Sequence, residues 1–166
     1  MNEAANKQPP FAEFLGLKIT HVSPERVTAE LVARDDLNNR FGIMHGGALM
    51  ALADNLGGTA TTANLKPGQS TTTIESKTNF FAAVPIGDVA RAECTPLHRG
   101  RTTMVWQTRI TRGDGKLCAL VTQTQLVLEQ REYRSGAVRP RRPSIDQHDA
   151  GGANQHSQNR QRIEPL

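Results

Sequence analysis

The sequence predicts an α+β domain in which a curved antiparallel β-sheet wraps round one long central helix. Three observations point there. Residues 48–64 carry Leu49, Leu52, Leu56 and Ala60 at helical spacing, with small residues on nearly every other side. A helix that is apolar all round is a buried helix. Long strand-like segments follow it, parted by short turn signals. An antiparallel sheet must bury its apolar face, and the one element of matching size is that helix, at roughly 25 Å.

The elements follow in order. Residues 1–10 are a polar lead read as flexible. FAEFLG (11–16) predicts one helical turn packing Phe11, Phe14 and Leu15. LKITHV (17–22) and VTAELVA (27–33) predict a hairpin about the turn SPER. RDDLNNRFG (34–42) has the Asp, Asn and Gly chemistry of a loop. The helix is expected from about Ala48 to Asn64, ended by Lys66-Pro67-Gly68. Residues 70–84, 87–98, 101–112 and 116–128 predict four meandering strands, joined at PIG, RG and GDG. In the third of these, Thr102, Met104, Trp106, Thr108 and Ile110 share one face.

The chain of 166 residues suits one domain, placed at 11–128. Residues 129–166 are rich in Arg, Gln, Asn, Gly and Pro and read as a disordered polar and basic tail. The net charge of +4 is mild and aromatic residues make up only 4%, which argues against a nucleic-acid partner. Cys94 and Cys118 lie in strands and read as small buried hydrophobes rather than a disulfide framework or metal site. The start, MNEAANKQPP, lacks the apolar core of a signal peptide. No apolar run approaches the ~20 residues of a membrane span. The expected location is the cytoplasm, with no membrane partner.

Two features carry chemistry. Asp54 sits among Leu52, Ala53 and Leu56 on the helix expected to be central. A carboxylate there is costly unless it is used, and a poised one is a candidate general base or nucleophile. His45-Gly46-Gly47 stands where loop becomes helix, and it lacks the GK[ST] of a phosphate loop. Free N–H groups and the positive end of the helix dipole suit such a terminus to an oxyanion, and glycine lets a carbonyl approach the backbone. Gly46 and Asp54 are separated by roughly 12 Å along one helix. One reacting carbon cannot touch both within a chain. The spacing therefore predicts a symmetric dimer with two equivalent shared sites.

Asn39, His45-Gly46-Gly47 and Leu52-Ala53-Asp54, followed by TTTIESKTNFFAAVPIGD and HRGRTTMVWQTRITRGDGKLCA, resemble the hotdog-fold acyl-CoA thioesterases of the PaaI type. The resemblance covers about residues 11–128. It implies the hotdog fold, dimers commonly paired into tetramers, and hydrolysis of a CoA thioester to the free acid and CoA. By motif position, Asp54 matches the catalytic acid and Gly46 the glycine whose N–H polarises the thioester carbonyl. His45 and Asn39 match residues that support that loop and the thioester end of the substrate, with Gly47 a further substrate-binding position. Thr73 falls near a serine that in some members helps hold the attacking water, with Thr72 the alternative. Arg99-Gly100-Arg101 matches a turn that often contacts the CoA nucleotide, and Arg suits phosphates. Leu49, Met50, Phe80 and Phe81 are expected to shape the acyl pocket.

The implied mechanism needs no metal or cofactor, coenzyme A being part of the substrate. His21, His98, His148 and His156 receive no role, and no histidine pairs with Asp54 at metal-ligand spacing. Two rival readings use the same fold. A hydratase or dehydratase would move protons on the acyl chain, and a sensor would bind acyl-CoA without cleaving it. The Asn39, HGG and Asp54 arrangement fits hydrolysis better, and retention of Asp54 argues against a pure binder.

Overall fold

The computed structural model describes residues 7–129. Of the expected tail at 129–166, residues 130–166 lie outside the described residues and Glu129 ends the last strand. Of the expected flexible lead at 1–10, residues 1–6 lie outside them, whereas Gln8 Oε1 accepts from Asn55 Nδ2 at 2.7 Å and Pro10 opens the first helix. The elements are α1 (Pro10–Leu15), β1 (Lys18–Val22), β2 (Val27–Val32), α2 (Gly46–Asn64), β3 (Gln69–Phe80), β4 (Val89–Arg99), β5 (Thr103–Thr111) and β6 (Leu117–Glu129). A 3-10 turn at Asp35–Leu37 interrupts the loop before α2.

α1 starts on proline and stops at Gly16, whose φ of 73° closes the helix through its N–H. Ala12 and Leu15 face the core, whereas Phe11 and Phe14 are exposed. The expectation that both phenylalanines pack is thus corrected: a single short turn buries one stripe, and i, i+3 spacing puts them together on the other.

The strands form one six-stranded antiparallel sheet in the order β1-β2-β4-β5-β6-β3. The expected meander is corrected here. β3 lies at the far edge against β6, and β4 enters beside β2. The segment read as a PIG hairpin is a crossover, so β3 ends at Phe80 rather than at residue 84. It is pinned past the start of α2: Met44 N–H donates to Val84 O at 2.9 Å, and Gly87 N–H to Ala33 O at 2.8 Å.

α2 lies in the concave face of the sheet. Leu49, Leu52, Ala53, Leu56 and Ala60 are buried against Trp106, Ile110, Val121 and their neighbours. The polar end of Trp106 is satisfied within this core, Nε1–H donating to Thr61 Oγ1 at 2.7 Å. The face expected for β5 is buried at Met104, Trp106, Thr108 and Ile110. Cys94 and Cys118 are buried too, and burial pushes the Cys94 thiol up to about 11. The helix is not enclosed on all sides, however. Gly47, Met50 and Asp54 form an exposed strip, because a sheet curling round a cylinder leaves the side away from it bare. Among the described residues no helix is long and apolar enough to cross a membrane.

Candidate active site

Asp54 sits in the third turn of α2, on the uncovered strip. The expected burial is corrected: the residue is exposed in the protomer. It is nevertheless held. Gln123 Nε2 donates to Asp54 Oδ1 at 2.6 Å, and Thr73 Oγ1–H donates to the same oxygen at 3.0 Å. Thr73, rather than Thr72, meets the carboxylate. Oδ2 has no partner among the described residues.

The sheet arranges this contact through a bulge. β3 pairs Thr73 with Gln125 and Ser76 with Gln123, with an extra residue accommodated between Thr73 and Glu75. Thr73 therefore shares the helix-facing side of the sheet with Gln123 and Gln125, which are each only 1% exposed. Gln125 Nε2 donates to Thr73 Oγ1 at 2.8 Å, and Thr71 Oγ1 donates to Gln125 Oε1 at 2.9 Å. Gln123 Oε1 is buried without a partner among the described residues, an arrangement that costs about 1–3 kcal/mol. It abuts Gly57, where any side chain would collide with it.

The helix N-terminus is built from backbone. His45 is the N-cap, and its Nδ1 accepts from Gly47 N–H at 2.9 Å. In the neutral ring the proton then sits on Nε2. α2 starts at Gly46 instead of near Ala48 because of this cap. Gly47 N–H is used by the cap and Ala48 N–H by His45 O. Gly46 N–H has no partner among the described residues. Asn39 closes the preceding loop, its Oδ1 accepting from Phe41 N–H at 2.8 Å and Ile43 N–H at 3.4 Å.

Gly46 lines a cavity of about 350 Å³ with Asn39, Leu49, Phe80, Phe81 and Val84. A Cβ on Gly46 would lie 3.1 Å from the Phe80 ring, so glycine lets that ring approach. Asp54 and Thr73 line a different cavity of about 260 Å³, with Lys7, Asn55 and Thr59. Met50 borders neither cavity.

The expected nucleotide turn divides. Arg99 is engaged by its own chain, with Nη1 donating to Pro24 O at 3.3 Å and lying 3.7 Å from Glu25. Gly100 and Arg101 line a cavity of about 360 Å³ with Asn64, Lys66 and Gln69. A Cβ at position 100 would crowd the His98 ring and lie 3.0 Å from the Thr103 carbonyl oxygen. Among the described residues no group of three or more His, Cys, Asp or Glu side chains could hold a metal ion.

Comparison with known proteins fits this geometry. Residues 41–119, from the loop before the helix to β6, match the model of the thioesterase superfamily. The proofreading thioesterase EntH of Cronobacter turicensis is 33% identical over 106 residues, which is 64% of this chain and 77% of the relative. The chain belongs to the thioesterase superfamily. It is a hotdog-fold thioester hydrolase of the PaaI-like family. A second relative, the 1,4-dihydroxy-2-naphthoyl-CoA hydrolase of Escherichia coli, is 30% identical over 115 residues, 69% of this chain and 84% of the relative. A point mutant of the phenylacetic acid degradation protein PaaI from Thermus thermophilus superposes with a TM-score of 0.66 at 28% identity, covering 71% of this chain and 98% of that one.

Sequence reasoning missed Gln123 and Gln125. The signal was present. Ala119, Val121, Gln123, Gln125 and Val127 alternate on the apolar face of β6, and two glutamines there require partners.

Proposed function

We propose that this thioester hydrolase acts on acyl-CoA thioesters at two equivalent sites of a C2 dimer, each combining Asp54 of one protomer with Gly46 of the other. One observation carries the reading. Gly46 and Asp54, whose N–H and Oδ2 have no partner among the described residues, lie on one helix and line separate cavities, roughly 12 Å apart. A second copy seated on the exposed strip of α2 brings the two halves together. The long β3 edge and the exposed Ile74, Phe80 and Met50 suit that contact.

In such a site the thioester carbonyl oxygen points at Gly46 N–H, at the positive end of the helix. Water attacks the carbonyl carbon and gives its proton to Asp54 Oδ2. Negative charge builds on the carbonyl oxygen where the backbone donor waits. Collapse of the tetrahedral species breaks the C–S bond and releases the CoA thiolate and the acid. The acyl group occupies the apolar cavity of Leu49, Phe80, Phe81 and Val84. Lys66 and Arg101 offer charge to CoA phosphates.

The test is release of free thiol from aryl- and alkyl-CoA thioesters of several lengths, by wild type and Asp54→Asn side by side. The reading expects release by wild type and loss of about 10²-fold in the variant. Equal rates would remove Asp54 from the chemistry. An enoyl-CoA that gains water but keeps its CoA would favour the hydratase reading.

A further inference from the structure

We propose that Gln123 and Gln125 are positioning residues for Asp54: together with Thr73 they lock Oδ1 and leave Oδ2 as the reacting oxygen. The proposal rests on the catalytic role assigned to Asp54 above.

The bond inventory carries it. A threonine hydroxyl has one hydrogen to give and two lone pairs to fill. Thr73 Oγ1 accepts from Gln123 Nε2 at 3.0 Å and from Gln125 Nε2 at 2.8 Å. Its hydrogen is then directed to Asp54 Oδ1, 3.0 Å away. Nothing of this hydroxyl remains for a water molecule. The threonine expected to hold the attacking water is instead assigned to orient the carboxylate.

Gln123 is spent in the same direction. Its two amide hydrogens go to Asp54 Oδ1 and Thr73 Oγ1, at 2.6 and 3.0 Å. Its Oε1 is left buried and unpartnered against Gly57. Turning the amide over would place that oxygen against a carboxylate and leave Thr73 short of a donor, so the charge of Asp54 fixes the orientation. An apolar side chain of similar size would fill the position without burying an orphan carbonyl. The glutamine gives up that economy for a 2.6 Å donor to Asp54. Gln125 extends the chain one step further, its own Oε1 tied by Thr71 at 2.9 Å. A single oxygen of Asp54 is thus gripped from the sheet, and the residue borders a cavity shared with Asn55 and Thr59. Such fixed geometry is what an oriented base requires, since displacement by ~1 Å can cost 10²-fold in rate.

The experiment is steady-state kinetics and thermal melting of full-length Gln123→Met, Gln125→Met, Asp54→Asn and the double variant Gln123→Met/Asp54→Asn, on the best thioester of the panel. Methionine keeps the volume and removes both the donor and the orphan acceptor. The proposal expects kcat of Gln123→Met to fall by about tenfold or more while KM stays near wild type. It expects Tm unchanged or higher. Gln125→Met should lose less, because it acts through Thr73. The double variant should be no slower than Asp54→Asn alone. Wild-type kcat in Gln123→Met, with Asp54→Asn inactive, would overturn the positioning role and leave the catalytic role of Asp54 standing. A drop in kcat matched by a collapse in Tm would assign the glutamine to the core instead. Full turnover by Asp54→Asn, or no turnover of any thioester by wild type, would overturn the underlying reading and this proposal with it.

Discussion

The two ends of the site on α2 are made of different materials. At the N-terminus the chemistry is backbone: Gly46 N–H has no partner among the described residues, and the neighbouring Gly47 N–H is tied to the capping His45 ring. Two turns further on the chemistry is a side chain, Asp54, gripped by Thr73 and Gln123 from the sheet. The first end depends on the absence of side-chain atoms, so that the Phe80 ring and a carbonyl can come close. The second depends on buried polar atoms placed at hydrogen-bond distance. A dipole that only has to meet charge is cheaply supplied by a helix start. A group that must take a proton has to be aimed, and aiming draws on a whole strand pair.

The contrast can be broken at either end. The largest effect is expected at the aimed end, where Asp54→Asn should lose about 10²-fold or more in kcat with its melting curve intact. At the backbone end, Gly46→Val keeps the N–H but pushes methyl groups toward the Phe80 ring. Its kcat/KM should fall by about tenfold, from about 1.4 kcal/mol of lost transition-state stabilisation. If Asp54→Asn and Gly46→Val fell in the opposite order, the backbone donor would be the dominant element.

Smaller effects separate bound from unbound charges. Arg101→Ala should raise KM for a CoA thioester a few-fold, and leave a short pantetheine thioester unaffected. Arg99→Ala should change KM less, because Arg99 is already held by Pro24 and Glu25. Equal changes in the two would erase the distinction between them. The smallest effect is expected far from α2. Asp114, in the β5–β6 turn, is held by Arg112 and the Lys116 N–H, with its carboxyl lowered to about 2. The depressed acid stabilises the fold above the ordinary carboxylate range. That contribution is lost as pH falls toward about 2. Asp114→Ala should flatten the acid end of a Tm-against-pH curve and leave kcat unchanged.

Much of this was legible in the residues. The alternation of Met104, Trp106, Thr108 and Ile110 marked the buried face of β5, and the small-residue helix marked the centre of the sheet. Gly46 and Asp54 stood out because a free helix start and a carboxylate among leucines each need a reason. Strand order did not show, since a crossover at 81–88 and a hairpin share the same Pro and Gly signals. Exposure of Asp54 did not show either: small residues along α2 serve both the sheet and the uncovered strip. The hold on Asp54 depends on the bulge between Thr73 and Glu75, and no local residue pattern announces that register shift.

The shared site is the central claim, and mixing two impaired variants tests it most directly. Asp54→Asn and Gly46→Val would each be purified, unfolded together at equal amounts, refolded and assayed for thiol release. In a mixed dimer one site receives both defects and the other receives an intact Asp54 and an intact Gly46. Random pairing is therefore expected to restore about a quarter of wild-type activity. A mixture no more active than the average of its two components would contradict the account and place Gly46 and Asp54 in the same site of one protomer.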